Sequence, residues 1–452
     1  MKLRLLETLR CPVCHSSFRM EKPQIRQVEV SDKSLKPCQG LCPFLDIVGG
    51  PRDCSRCAAY DVLAATLSCT TCQESYVIQD GLPRCIPPRH CATTFGREQH
   101  DSATADGWGG GLTGATGSSR EAPPRHRATA EGIGPSWFAS MIGWAGCRPT
   151  RGVFLDATGS SGGDPQSLQK SAWLTTRTAS SFGYLWSRSQ KAHTHRSYHF
   201  DRMEQRLSLS PAQGLVLDGG CGDGIDLANQ AHRPGVEIIG VELTETGCHA
   251  SLKRLASTPN SHVAQADLCC LPFDDNTFDF VYSYGVLHHL SSPQEGLQEL
   301  VRVLKGGGTI AVYLYEDFSD RSIGWRWLLL VANQLRKLTP HVPHWLLYKF
   351  CQLASPFVYL LFTVPYHILR RIRGCGSFAL SFPFRHAKNP LSLAGDLYDR
   401  FSTPIEWRYS QAKAIALLES AGLKQVLSAK DRGWMVAGIK PLALEVKACE
   451  KS

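Results

Sequence analysis

The chain has 452 residues, 43% of them apolar, and 49 Lys and Arg against 40 Asp and Glu, a formal charge of +9. That length accommodates two to four domains with at least one large core, and the apolar share is ordinary for a globular protein. Charge this modest does not by itself argue for a nucleic-acid partner; its distribution matters more.

Cysteine is abundant, with 18 residues, and eight of them form four close pairs before residue 73. The opening "MKLRLLETLR" has no apolar leader segment or small-residue cleavage site before Cys11. A reducing, cytoplasmic setting with metal-bound thiolates is therefore expected over a disulfide framework. Cys11-x2-Cys14 and Cys69-x2-Cys72 each make a turn that aims two thiolates at one point, as a structural tetrahedral zinc site requires. Between them, Cys38, Cys42, Cys54 and Cys57 leave two readings open, a second zinc site or free buried thiols. Residues 1–90 are assigned to this unit.

Residues 91–180 are rich in Gly, Ser, Thr, Ala and Arg, as in "DGWGGGLTGATGSSREAPPRHRATAEG", and are read as a mostly disordered linker. From residue 181 strand and helix signals alternate. The strands are "GLVLD", "VEIIGVEL", "HVAQADL", "FDFVYSYG" and "GTIAVYLY". Before the fifth, a helix is marked by Ser292 as N-cap, Pro293 in the first turn, Glu295 completing a capping box, and an apolar stripe at Leu297, Leu300, Val301 and Leu304. Such alternation predicts an α/β fold, a parallel sheet with helices on both faces. The core covers residues 181–316 and resumes over 400–440, where "QAKAIALLESAGLKQV" is a helix running into a strand and "GWMVAGIK" a last strand; 441–452 is a tail. Residues 317–399 interrupt it as an insertion after the fifth strand.

The stretch "GLVLDGGCGDGIDL", residues 214–227, ends a buried strand in Asp218 and follows it with Gly220, Gly222 and Gly224. A bare turn also needs glycine, so the loop alone indicates no more than a nucleotide-like ligand. Glu242 ends the second strand, where an acid can accept both ribose hydroxyls, and Asp267 ends the third, where it can take an adenine amino group. Three acids at the carboxyl ends of successive strands imply one crevice.

"VLDGGCGDG", "VEL", "ADLCCLPFDDNTFDFVYSYGVLHHL" and "LVRVLKGGGTIAVYLY" resemble the class I S-adenosylmethionine-dependent methyltransferases, closest to the branch with the ubiquinone/menaquinone-pathway enzymes. Glu242 stands where Asp is commoner, and Gly306 where Pro is usual. The resemblance implies a Rossmann-like seven-stranded sheet. It also implies that Asp218, Gly220, Gly222 and Gly224 hold the methionine part of S-adenosylmethionine. Glu242 would hold the ribose, Asp267 with the Leu268 amide the adenine, and Tyr284 with Gly285 would line the methyl-donor end. "LLETLRCPVC" and "LSCTTCQESYVIQDGLPR" resemble the zinc-ribbon activator subunit of tRNA and protein methyltransferases, which implies zinc on Cys11, Cys14, Cys69 and Cys72.

Relatives that methylate amine nitrogens carry an Asn/Asp-Pro-Pro-aromatic stretch after the fourth strand; "YSYGVLHHL" here favours oxygen or carbon acceptors. His288 is the candidate proton acceptor, against a packing role, because at most one of His288 and His289 can face the cleft. "SFGYLWSR", with Phe182, Tyr184 and Trp186, either covers the cofactor or packs on the sheet edge.

Residues 321–395 contain no Asp or Glu and ten Lys and Arg, with "WRWLLLVANQL" and "SPFVYLLFTVPYHILRRIRG" among them. Three readings stand: a transmembrane helix interrupted by Pro356 and Pro365, amphipathic helices on an anionic membrane surface through 321–373, and a helical cap over an apolar acceptor pocket. The expected partner is a small-molecule, lipid-like acceptor rather than nucleic acid, in a cytoplasmic protein with membrane association. The rivals are an RNA-modifying methyltransferase and a non-catalytic binding module.

Overall fold

The computed structural model describes Met1 and residues 5–27, 60–87, 165–192, 199–380, 382–385, 387 and 389–442. Cys38, Cys42, Cys54, Cys57 and the linker up to residue 164 lie outside the described residues.

The N-terminal unit comprises α1 (Leu5–Thr8), β1 (Phe18–Gln27), β2 (Tyr60–Cys69), β3 (Ser75–Gln79) and β4 (Leu82–Arg84). β1 to β4 pair antiparallel in sequence order, so short turns suffice to join β2, β3 and β4. α2 (Pro165–Ala192) follows, so the last 16 residues of the stretch read as linker are helical.

Then come α3 (His199–Leu207), β5 (Gly214–Gly219), α4 (Ile225–Gln230), β6 (Val236–Glu242), α5 (Glu245–Arg254), β7 (Ser261–Gln265), β8 (Phe278–Tyr284), α6 (Pro293–Val303) and β9 (Leu304–Leu314). The five strands β5 to β9 are parallel. Their central residues are buried, as helices on both faces demand. The Ser292 hydroxyl caps α6 by accepting from the Glu295 N–H at 3.4 Å. Between α6 and the regular part of β9, "KGGG" forms a bulge, with Gly307 at φ +79°.

The insertion is helical: α7 (Ile323–Leu335), α8 (His344–Val358), a π turn (Tyr359–Thr363), α9 (Val364–Leu369), α10 (Gly376–Ala379) and α11 (Ala394–Ser402). Pro356 lacks the N–H an α-helix interior needs, and the wider π turn follows within three residues. Leu347, Cys351, Leu393, Leu397 and Tyr398 form a small separate core, packed against Tyr184 and Leu185 of α2. α12 (Gln411–Ser420), β10 (Lys424–Lys430) and β11 (Trp434–Ile439) close the fold, β11 pairing antiparallel with β9 and β10.

Strand order is β1-β2-β3-β4-β7-β6-β5-β8-β9-β11-β10. The last seven form the expected Rossmann-like sheet, but that sheet does not end at β7. β4 pairs parallel with it at Arg84 and Gln265, and the Cys85 N–H donates to the Gln265 carbonyl at 2.9 Å, so one sheet of 11 strands results. One continuous core joins Leu5, Leu9 and Leu67 of the N-terminal unit to Leu217, Ile239 and Leu271. The edge that a lone α/β domain would leave unpaired is covered within the chain itself.

Candidate active site

β5, β6 and β7 are adjacent and parallel, which puts Asp218, Glu242 and the residues after Gln265 at one end of the sheet. After β5 the chain turns through Gly220, Gly222 and Gly224 at φ +94°, +55° and +75°, all in the left-handed region. The Gly220 and Cys221 N–H groups donate to the Val241 carbonyl at 2.8 and 2.9 Å, tying the turn to β6. Leu268 reaches across to the same turn, its Cδ1 only 2.9 Å from where a Cβ on Gly219 would sit.

Glu242 is buried and organises the floor of this crevice. Its Oε2 accepts from the Gly222 N–H at 3.0 Å, and its Oε1 from the Thr244 N–H and hydroxyl at 2.8 and 2.7 Å. Burial pushes its pKa up, while the bonds from Thr244, Gly222 and the Leu243 backbone pull it down. Burial, reinforced by the charges of Asp226 and Glu242, pushes Asp218 well above the usual carboxylate range. Asp267 is only partly buried, and its Oδ1 accepts from the Cys269 N–H at 2.9 Å.

α2 covers the crevice. The Trp186 ring lies 2.7 Å from a Cβ placed on Gly222 and 3.0 Å from one on Gly247, beside Glu242. The Thr246 hydroxyl donates to the Gly183 carbonyl at 2.9 Å, and Phe182 meets the His289 ring edge-on at 5.1 Å. The "SFGYLWSR" segment thus packs Trp186 on the glycine turn and Tyr184 against the core of the insertion. At the tip of β8, Tyr284 is sandwiched between His199 and Tyr313, with ring centroids 4.0 and 4.3 Å away. A Cβ on Gly285 would meet nothing within 4 Å, so space is open beside it.

His288 does not line that space. Its side chain is 0% exposed, against Tyr315 at 3.9 Å. Burial, then the neighbouring His289 and Arg408, holds its pKa well below the ordinary histidine value, so the ring stays neutral and is a weak proton acceptor. The sequence expectation for His288 is therefore corrected: the turn that carries it is strapped under residues 405–409. The Trp407 N–H donates to the His288 carbonyl at 2.8 Å, and His289 Nδ1 bonds to the Ile405 carbonyl at 2.8 Å.

Sequence reasoning missed this strap and the charges beneath the cap. Glu406 pairs with Arg336 at 2.6 Å and Arg408 at 2.5 Å. The Tyr315 hydroxyl donates to Asp399 Oδ2 at 3.1 Å, leaving Asp399 Oδ1 without a hydrogen-bond partner among the described residues. Burial raises the Asp399 pKa. The available signal was a charged pair flanking Trp407 in "IEWRY" between two regular elements.

In the N-terminal unit the Sγ atoms of Cys11, Cys14, Cys69 and Cys72 all lie within 4.8 Å of one another. Zinc–sulfur bonds of about 2.3 Å in a tetrahedron separate sulfurs by roughly 3.8 Å, which four thiolates at these spacings accommodate. The Thr71 and Cys72 N–H groups point at Cys69 Sγ, both at 3.4 Å, and orient it as second-layer donors do. This unit also touches the loop that follows β7. The Arg10 N–H donates to the Pro272 carbonyl at 2.8 Å, Cys270 Sγ to the Pro12 carbonyl at 2.9 Å, and Arg10 pairs with Asp274 at 2.7 Å. The loop that follows Asp267 and Leu268 is thus braced from behind.

Residues 217–312 match the methyltransferase-domain family, and residues 2–81 the Trm112p-like protein family. The chain joins a Trm112p-like domain to an S-adenosylmethionine-dependent methyltransferase domain. The methyltransferase domain is 34% identical over 113 residues to a demethylmenaquinone methyltransferase of Clavibacter sepedonicus, covering 25% of this chain and 45% of that protein. Over 135 residues it is 30% identical to the tRNA (carboxymethyluridine(34)-5-O)-methyltransferase of Arabidopsis thaliana, covering 29% of this chain and 31% of that one. The chain therefore spans less than half the length of these relatives. One chain of a solved complex between the Haloferax volcanii Trm112 methyltransferase activator and a methyltransferase is similar over 57% of this chain and 98% of that one, with TM-score 0.36 and 16% identity. The Trm112p-like domain and its four clustered cysteines fit zinc, and the methyltransferase domain fits S-adenosylmethionine as its cofactor.

Proposed function

We propose that this chain transfers a methyl group from S-adenosylmethionine to an oxygen or carbon of a small, apolar acceptor. The observation that carries the reading is the meeting of Glu242, Asp218 and the residue 267–268 loop at the ends of three adjacent parallel strands, under Trp186. The residues fit the group: a buried carboxylate at the tip of β6, a glycine turn beside it, and apolar walls at Trp186 and Leu268.

In this reading Glu242 holds the ribose hydroxyls, Asp267 and the Leu268 amide the adenine, and Asp218 with Gly220, Gly222 and Gly224 the methionine part. Tyr284 and Gly285 border the open space for the reacting end. When bound, S-adenosylmethionine supplies a methyl already activated by its sulfonium. The chain has then to align the acceptor, exclude water and take a proton. α2 and the cap exclude water.

A second reading, methylation of RNA, is favoured by the Trm112p-like domain and the similarity to the Arabidopsis tRNA enzyme. Incubating the full chain with methyl-labelled donor and, separately, a lipid extract, polar metabolites and total tRNA discriminates them. Label in an organic-soluble small molecule, lost in Glu242→Ala, is the expected result. Label confined to tRNA, with binding that weakens steeply as salt rises, establishes the second reading instead.

A further inference from the structure

The cap turns an apolar face outward. None of the 13 residues of α7 is buried, and Ile323, Trp327, Leu330, Val331 and Leu335 recur at i, i+4, i+7, i+8 and i+12, one stripe of the helix. The run from α8 through α9 does the same: Leu353, Phe357, Leu360, Leu361 and Ile368 are each between 56 and 69% exposed. Soluble proteins rarely leave contiguous apolar patches larger than a few hundred Å² in water.

The opposite side of that run is committed to the domain. Leu347, Cys351, Ser355 and Thr363 are buried, the Ser355 hydroxyl donates to the Pro390 carbonyl, and the Thr363 hydroxyl to the Phe384 carbonyl at 2.9 Å. His344 at its start bonds the Tyr398 hydroxyl at 2.5 Å. His344–Leu369 is long and apolar enough to cross a membrane by length and composition. Crossing would break these bonds and expose the small core of the cap, so the helix is placed to lie along a surface rather than through one.

Charge identifies the surface. Residues 321–373 hold eight Lys and Arg and no Asp or Glu, and six of these cations, Arg326, Lys337, Lys349, Arg370, Arg371 and Arg373, are exposed. A second copy of this chain would bring the same cations against themselves. An anionic lipid surface satisfies both features at once, taking the apolar stripes into its acyl boundary and the cations among its headgroups.

We propose that α7 and the α8–α9 run dock this protein in the plane of an anionic bilayer. The proposal stands whether or not the chain transfers methyl groups. It is tested by co-sedimenting the full chain with vesicles of phosphatidylcholine, alone or with about one-third phosphatidylglycerol, at low and high salt.

Binding to the anionic vesicles is expected to be at least roughly tenfold tighter than to the neutral ones and to weaken with salt. Reversing Arg370, Arg371 and Arg373 to Glu is expected to weaken it by roughly 100-fold or more. Leu353→Asp with Phe357→Asp is expected to abolish it. All five side chains are exposed, so the urea midpoint is expected to stay unchanged. The proposal is overturned if the wild type ignores anionic vesicles, or if both variants bind as it does. Retention in the bilayer after alkaline carbonate, or concentration-dependent dimers that Leu353→Asp dissolves, would equally overturn it.

Discussion

Replacing Gly220 by Ala tests how the crevice floor is shaped. Gly220 sits at φ +94°, and an added Cβ would lie 2.3 and 2.8 Å from Val286 Cγ2 and Cγ1. The left-handed backbone costs an ordinary residue about 1–2 kcal/mol. Overpacking a fixed neighbour costs about 1–3 kcal/mol, and the Gly220 N–H bond to Val241 leaves the turn little room to retreat. Gly220→Ala is thus expected to destabilise the protein by about 2–5 kcal/mol in urea unfolding. In a double-mutant cycle, Val286→Ala should return only part of the steric share, because Val286 Cβ still stands at 3.0 Å, and the backbone strain persists. A Gly220→Ala loss under about 0.5 kcal/mol, or a double variant no better than the sum of its singles, refutes this account of the turn.

Removing zinc by chelation should unfold the cysteine cluster and loosen the loop braced by Arg10 and Pro12. Zinc content and S-adenosylhomocysteine affinity are expected to fall together and to recover on adding zinc. In His344, burial and then the nearby Arg177 lower the pKa from 6.5 to about 4. Its neutral ring bonds Arg177 at 2.8 Å and Ser180 at 3.2 Å. The unfolded chain takes up the proton first, so this contribution is full above pH 6.5 and is lost as pH falls towards about 4. At pH 5 the loss relative to pH 8 should reach up to about 2 kcal/mol in urea unfolding and be absent in His344→Phe. An equal pH dependence in the two proteins contradicts that role.

Much of this was legible in the sequence because strand tips and metal knuckles are local. Apolar runs ending in Asp218 and Glu242, and two Cys-x2-Cys turns, name their own neighbours once a parallel sheet and a tetrahedral site are assumed. What was not legible depended on contacts between distant segments. His288 was expected at the cleft, but the Ile405–Tyr409 strap, more than 100 residues on, seals it from outside. The union of the two domains in one sheet hangs on the backbone of Arg84 and Cys85 meeting Gln265, to which side-chain pattern gives no clue. The acid-free insertion was readable as apolar and basic, but its unpartnered side emerges only once Ser355 and Thr363 show which side is anchored.

Calorimetric titration of the full chain with S-adenosylhomocysteine, wild type against Glu242→Ala, tests the central claim most directly. The account predicts saturable one-to-one binding to the wild type, weakened roughly 10- to 100-fold once the ribose loses its charged acceptor. No binding by the wild type, or undiminished binding by a folded Glu242→Ala, would contradict it.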